Sequence, residues 1–189
     1  MARVSSDSRK HYVHTKVSSP VGRLTLVASD AGLAGILWEN DRQGRVRLPI
    51  ETRESGHPVL VDTARQLDEY FAGQRQAFAV PLDPVGTAFQ RQVWDALLTI
   101  PYGETRSYGQ IARQIGLPNA VRAVGAANGR NPVSIIVPCH RVVGATGKLT
   151  GFAGGLEAKA HLLALESHER KAAGGPGQHG VPPERRVAI

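Results

Sequence analysis

The hydrophobic pattern of this chain shifts near residue 85 from mostly strand-like to mostly helical, and that change limits the architectures open to it. Before the change, "HYVHTKV" (11–17) and "GRLTLVAS" (22–29) alternate apolar and polar residues, the period-two pattern of half-buried strands. "DAG" then turns the chain into "LAGILWEN" (33–40), which reads as the second arm of a hairpin. Residues 41–61 are mixed and turn-rich. "VDTARQLDEYFAG" (61–73) has helical spacing, with Leu67, Tyr70 and Phe71 on one side and Gly73 as a stop, and "AFAVPLD" (77–83) reads as a short strand. Residues 11–84 are therefore expected to form a small α/β unit with an antiparallel sheet. Nothing in it proposes chemistry: His11 and His14 do not converge on an extended segment, which makes them a surface pair rather than a metal site.

After the change the signals are helical. "TAFQRQVWDALLTI" (87–100) predicts a helix capped by Thr87, with Phe89, Val93, Trp94 and Leu97 inward. "PYGET" breaks it. "SYGQIARQIGLPNAVRAVGAANG" (107–129) reads as helix, tight turn, helix: Ser107 caps the first, Gly116 closes it, and Pro118 lies in the turn. This rhythm is a DNA-binding signature that ordinary helix pairs also show. In the second helix Ala120, Val121 and Val124 are expected to face the core, while Arg122, Gly125, Ala126 and Gly129 share the other face. Glycine inside a helix costs up to about 1 kcal/mol relative to alanine. A face of one arginine and three tiny residues lets the backbone come close to something, either a neighbouring helix or a DNA groove. Charge agrees with the second option without requiring it. The net charge is +7, with +1 over residues 1–84 and +4 over 85–168; an anionic partner and plain solubility both account for it.

The only cysteine lies in "VPCHR" (137–141), so an intramolecular disulfide and a Cys-rich zinc site are excluded. The N-terminus lacks the apolar core of a signal peptide, and no run approaches the roughly 18 apolar residues of a membrane span, which predicts a soluble cytoplasmic chain with no membrane partner. A lone cysteine is ordinarily a small buried apolar residue. Here "SIIV" is a buried run ending at Pro138, and Cys139 and His140 follow where the chain must leave the core, with Arg141 next. A thiol becomes a nucleophile through a nearby base or cation. On the last helix Leu156, Ala160, Leu163 and Glu166 fall on one stripe, so Glu166 needs a buried partner unless it sits at a frayed, solvated end. A glutamate orienting His140, which activates Cys139, is the thiol form of a nucleophile–base–orienter triad.

"TAFQRQVW", "IPYGETRSYGQIA", "RAVGAANGRNP" and "IVPCHRVVGATGKLTGFAGG", in this order between Thr87 and Glu166, closely resemble the O6-alkylguanine-DNA alkyltransferases, the methylated-DNA–protein-cysteine methyltransferases. "SPVGRLTLVAS" and "LDEYFAG" resemble the bacterial members more loosely. The resemblance implies a ribonuclease-H-like α/β domain (11–84) followed by a mostly helical DNA-binding and alkyl-transfer domain (85–168) with a helix-turn-helix. Residues 1–10 and the Gly/Pro-rich stretch 169–189 are expected to be a disordered N-terminus and tail. The implied function is direct DNA repair: irreversible, stoichiometric transfer of an alkyl group from O6 of guanine, and from O4 of thymine, in duplex DNA to Cys139. No cofactor and no metal are implied. The implied partner is double-stranded DNA containing O6-alkylguanine, with cooperative assembly on DNA, in the bacterial cytoplasm and on the nucleoid when bound.

The resemblance also implies roles. Cys139 accepts the alkyl group, His140 takes the thiol proton through a water, Glu166 fixes the histidine tautomer and Asn131 ties the network together. Tyr108 offers its hydroxyl to N3 of the departing guanine. The base is flipped out of the duplex, and Arg122 fills the vacancy. Gly125, Ala126 and Gly129 let the helix lie in the minor groove, and Ser107 joins the DNA-binding set. Val142, Phe152, Ala153 and Lys159 line the substrate pocket. Phe152 and Ala153 depart from the common pattern of Tyr followed by Ser or Gly; the aromatic wall is kept and a hydroxyl is lost. The single cysteine means that the zinc site of some members is lacking. Two rival functions are a noncatalytic reader of alkylated bases, against which the intact "PCHR" argues, and a cysteine hydrolase, which has no use for the Arg122 face.

Overall fold

The structure, a computed structural model, describes residues 10–41, 45–46, 48–50 and 52–173, with the side chains of 169–173 left aside. The N-terminal half builds a four-stranded sheet from β1 (Val13–Val17), β2 (Leu24–Ser29), β3 (Gly32–Trp38) and β4 (Thr52–Arg53), in the order β3-β2-β1-β4. β1, β2 and β3 pair antiparallel, with Val13 opposite Ala28 and Leu24 opposite Trp38. β4 pairs parallel to β1. It escapes a pattern reading because it is two exposed residues long. α1 (Pro58–Phe71) begins on Pro58, a residue suited to the first helical turn, and lays Leu60, Leu67 and Tyr70 against the sheet.

The strand expected at 77–83 does not form. Leu33 N donates to Pro81 O and Asp83 N to Leu33 O, both at 2.8 Å, giving a single bridge at Leu82. Pro81 has no N–H, so the ladder cannot extend through it.

The C-terminal half is built from α2 (Ala88–Leu98), α3 (Tyr108–Gln114), α4 (Val121–Gly129) and α5 (Gly155–Ala173). Two of these starts are written in short capping boxes. Thr87 Oγ1 accepts from Gln90 N at 3.2 Å while Thr87 N donates to Gln90 Oε1; Ser107 and Gln110 repeat the arrangement at α3. Gly116, at φ +77°, ends α3 in the left-handed conformation that glycine adopts without strain. α3 and α4 pack on each other and on α2. Of the α4 residues expected inward, Val124 is buried but Val121 is 40% exposed; Ala127 and Asn128 take the buried positions instead. Ala120, also expected inward, is the residue before the first turn of α4 and is half-buried.

A two-stranded parallel pair, β5 (Arg106–Ser107) with β6 (Val142–Val143), joins the entrance of α3 to the segment leaving Cys139. The two halves share one hydrophobic cluster, from Leu24 and Ile36 of the sheet through Tyr70 to Trp94, Cys139 and Leu162. α5 runs through Ala173, past residue 169 where the disordered tail is expected to begin. Residues 1–9 and 174–189, which carry the rest of the disorder expectation, lie outside the described residues. Among the described residues no helix is long and apolar enough to cross a membrane.

Candidate active site

Cys139 opens a single 3-10 turn, Cys139–Arg141, and is 3% exposed. The loop before it is bound tightly. Asn131 Nδ2 donates to Val137 O at 2.8 Å, and its Oδ1 accepts from Val133 N at 3.0 Å. Val137 N closes back on Val133 O. Within this turn Ile135 has φ +76°, a conformation that costs a β-branched residue energy and persists only where its surroundings impose it. The Asn131 bonds on either side supply that constraint, and the strained turn delivers Cys139 to its place.

The expectation of a thiol activated by a nearby base or cation does not extend to a lowered thiol pKa. Burial dominates and pushes the Cys139 thiol up, against opposing influences from Asn131, Arg45, Ser134 and Lys159. Cys139 therefore rests as a thiol and needs a base to become a nucleophile.

A candidate base is next to it in sequence. His140 is fully buried, and its Nε2 donates to Glu166 Oε1 at 2.8 Å. With Nε2 protonated by this bond, Nδ1 carries the lone pair. Nδ1 is buried and has no hydrogen-bond partner among the described residues. Burial lowers the His140 pKa although Glu166 raises it, so the ring is neutral and able to accept a proton.

Glu166 is the centre of the network. Oε1 accepts from His140 Nε2, from Tyr70 Oη at 2.8 Å and from Arg141 Nη2 at 2.9 Å; Oε2 accepts from Arg141 Nε at 2.8 Å and from Gly103 N at 3.1 Å. Burial by itself would raise the carboxyl pKa, but the bonds from His140 and Arg141 outweigh it and bring it down to about 2. Glu166 is thus a fixed anion. It was found from sequence by a stripe that the structure corrects: Leu156 and Ala160 are exposed, and the buried face of α5 is Ala158, Lys159, Leu162 and Glu166. Arg141 serves the carboxylate, not the thiol. Its Nη1 also donates to Ile100 O at 2.6 Å, and its guanidinium lies 5.6 Å from the Tyr102 ring centroid.

The remaining pocket candidates gather on one side. Lys159 is fully buried, and its Nζ donates to Val142 O at 2.5 Å and Thr150 O at 2.9 Å, tying the loop after β6 to the strand. Tyr108 Oη hydrogen-bonds Thr150 Oγ1 at 2.9 Å. The Phe152 ring stands edge-on 6.4 Å from the His140 ring, and Ala153 follows it in the same loop, half-buried.

Arg122, Ala126 and Gly129 are exposed on α4, away from the buried network, and Gly125 is half-buried. A side chain added at Gly125 would reach 3.7 Å from the Tyr108 ring, while at Gly129 it would meet nothing. Arg122, Ala126 and Gly129 are therefore open on this face, while Gly125 lies against Tyr108, the first residue of α3. Ser107 spends its hydroxyl on the α3 cap. Sequence reasoning missed Tyr70 and Gly103 as partners of Glu166. The one signal for Tyr70 was a phenol hydroxyl on the apolar face of α1, beside Leu67. Among the described residues no group of three or more His, Cys, Asp or Glu side chains converges as metal ligands would.

Comparison with known proteins gives consistent matches. Residues 12–84 match the model described as "6-O-methylguanine DNA methyltransferase, ribonuclease-like domain", and residues 88–168 that described as "6-O-methylguanine DNA methyltransferase, DNA binding domain". A methylated-DNA–protein-cysteine methyltransferase of Mycobacterium leprae is 51% identical over 158 residues, covering 81% of this chain and 91% of the relative. One from Methanosarcina acetivorans is 50% identical, covering 78% and 94%. The crystal structure of Mycobacterium tuberculosis OGT in complex with DNA is similar with a TM-score of 0.75 and 50% identity, over 84% of this chain and 94% of that one.

Proposed function

The chain belongs to the methylated-DNA–protein-cysteine methyltransferase family, whose reaction repairs DNA by moving an alkyl group onto a protein cysteine, and we propose that in this chain the acceptor is Cys139. The fold is that of the family, a ribonuclease-like domain followed by a DNA-binding domain, and the partner is DNA. The observation that carries the assignment is the buried His140–Glu166 pair next in sequence to buried Cys139, in which Nε2 is committed to the carboxylate and Nδ1 is left to take a proton.

The substrate is O6-alkylguanine in duplex DNA, and O4-alkylthymine by the same chemistry. His140 Nδ1 takes the Cys139 proton through a bridging water, and the carboxylate stabilises the imidazolium that forms. The thiolate attacks the carbon attached to O6. A carbon–sulfur bond forms as the carbon–oxygen bond breaks, and the electron pair stays on the guanine. The Tyr108 hydroxyl donates toward N3 of the departing base and offsets that charge. The product is a thioether. Nothing in the network can cleave it, so each molecule reacts once. The reacting carbon lies inside a base stack until the nucleotide is flipped out. The exposed α4 face, with Arg122 as its one long side chain, supports a minor-groove approach in which Arg122 occupies the gap. Phe152, Ala153, Val142 and Lys159 form the pocket that receives the base. The site of action is the cytoplasm, on the nucleoid.

The test is the intact mass of the protein after incubation with duplex DNA containing O6-methylguanine. The expected result is a gain of one methyl group, mapped to the peptide containing Cys139. Methyl on another residue, or methanol released over many turnovers, would overturn the assignment.

A further inference from the structure

The loop 151–155, which follows the pocket residues into α5, does not stand alone. Trp38, the last residue of β3, packs against it from the N-terminal sheet. The Trp38 and Phe152 rings meet edge-on with centroids 5.3 Å apart at 71°. Gly154 lies so close to the indole that a Cβ there would fall 2.5 Å from Cε3 and 2.6 Å from Cζ3, far inside van der Waals contact. These atoms belong to the rigid ring, so no side-chain end is available to give way. The ring itself is held by its strand: Trp38 pairs in register with fully buried Leu24, is 7% exposed, and has no hydrogen-bond partner for Nε1 among the described residues. Packing alone fixes it. On the same side lies a cavity of about 420 Å³, lined by Val21, Arg23, Asn40, Phe152, Ala153 and Gly155 as well as Trp38. The loop therefore borders open space, with the Trp38 indole pressed against it at Phe152 and Gly154.

We propose that Trp38 is a positioning residue that sets the size of adduct the site accepts, by holding the Phe152–Gly155 wall toward His140 from the N-terminal sheet. The proposal rests on the alkyl-transfer reading of Cys139 and on Phe152 and Ala153 lining the base pocket. The wall's distance from the reacting centre is then fixed by the sheet, not by the loop's own sequence. With the indole removed, its volume joins the cavity, Phe152 loses its edge contact, and the wall withdraws. A large O6 substituent gains room; a methyl gains nothing and loses a well-placed wall.

The experiment measures single-turnover alkylation at saturating protein on two duplexes that differ only in carrying O6-methylguanine or O6-benzylguanine. Trp38→Ala is expected to raise the benzyl-to-methyl rate ratio on the order of tenfold, the scale set by a change of a few apolar atoms in a pocket. Trp38→Phe, which keeps an aromatic edge, is expected to return the ratio most of the way. Trp38→Leu replaces Trp38→Ala if the latter does not fold, with thermal melting as the check. Gly154→Ala should slow both reactions in the wild-type background and have little effect in the Trp38→Ala background, because the clash is with the missing ring. An equal fall on both substrates, with the ratio within twofold of wild type, means that Trp38 only stabilises the fold and overturns the proposal. So do additive effects of the two substitutions. Absence of alkyl gain by the wild-type protein on either duplex instead overturns the reading on which the proposal stands.

Discussion

Tyr70 of the N-terminal half donates its hydroxyl to Glu166 Oε1, the oxygen that also receives His140 Nε2, across 96 positions of chain. A residue of the ribonuclease-like half thus shares an acceptor atom with His140, the proposed base. Tyr70→Phe is expected to cost about 1.5–3 kcal/mol of stability, the range for a hydrogen bond to a charged group. It should also leave more of the carboxylate's charge to His140 and raise the histidine pKa. The acid limb of the alkylation rate would then move to higher pH. Denaturant midpoints and a pH–rate profile check this; a stability loss with an unmoved profile would make Tyr70 a packing residue only.

Cys139→Ser should abolish transfer while DNA affinity changes little, because a hydroxyl is a far weaker nucleophile at neutral pH. Methyl transfer from labelled DNA to the variant at the wild-type rate would end the alkyltransferase assignment of this residue.

Glu166→Gln removes the anion that His140 and Arg141 share. The amide still accepts from one partner, but Arg141 is left as a buried cation without a counter-charge, a loss on the order of 3–5 kcal/mol. His140 also becomes a poorer base. The alkylation rate, taken at a temperature where melting shows the variant folded, should fall by a larger factor than the unfolded fraction accounts for. An unchanged single-turnover rate would remove Glu166 from the mechanism.

Arg122→Ala separates base flipping from simple phosphate binding. Reaction with duplex DNA should slow far more than reaction with free O6-benzylguanine, which bypasses an unstacking cost of about a few kcal/mol. A phosphate-binding arginine would instead reduce the salt slope by about one unit, and saturating protein would restore the rate. Equal losses on both substrates would place Arg122 in support of the pocket.

Acid should unfold the protein through the same network. His140 is held neutral in the folded state, so the unfolded chain binds a proton more readily below its ordinary value near 6.5, and stability falls as pH drops through that range. Glu166, at about 2 when folded against 4.5 as a free group, adds stability that is full above 4.5 and is lost as pH falls toward 2. The second shift corresponds to roughly 3 kcal/mol. Urea midpoints should decline between pH 7 and pH 4 and more steeply below. A flat profile would mean that neither group is held as described.

What could be read from the chain alone was local. Thr87 and Ser107 announced their helices because a capping box lies within four residues, and Gly116 announced a stop because the left-handed conformation there favours glycine. Cys139, His140 and Asn131 were legible through the family motif, and Glu166 through a carboxylate among apolar residues, although on a wrongly drawn stripe. Pro81 ended a strand that its alternating neighbours suggested. The bonds from Tyr70 and Gly103 to Glu166, and the press of Trp38 on Gly154, were invisible because they join segments that only the completed core brings together.

That distribution bears on when the chain becomes reactive. α2 and α3 carry their start signals locally and can nucleate early, whereas pairing across long sequence separations is slow to form. Glu166 takes its partners from α1, from the loop after α2 and from the turn at Cys139, so its bond to His140 is complete only when all three have docked. Until then the thiol has no oriented base and sits above its usual range only once buried. A protein that spends its nucleophile in a single event thus acquires the oriented histidine beside it only when these long-range contacts to Glu166 are in place.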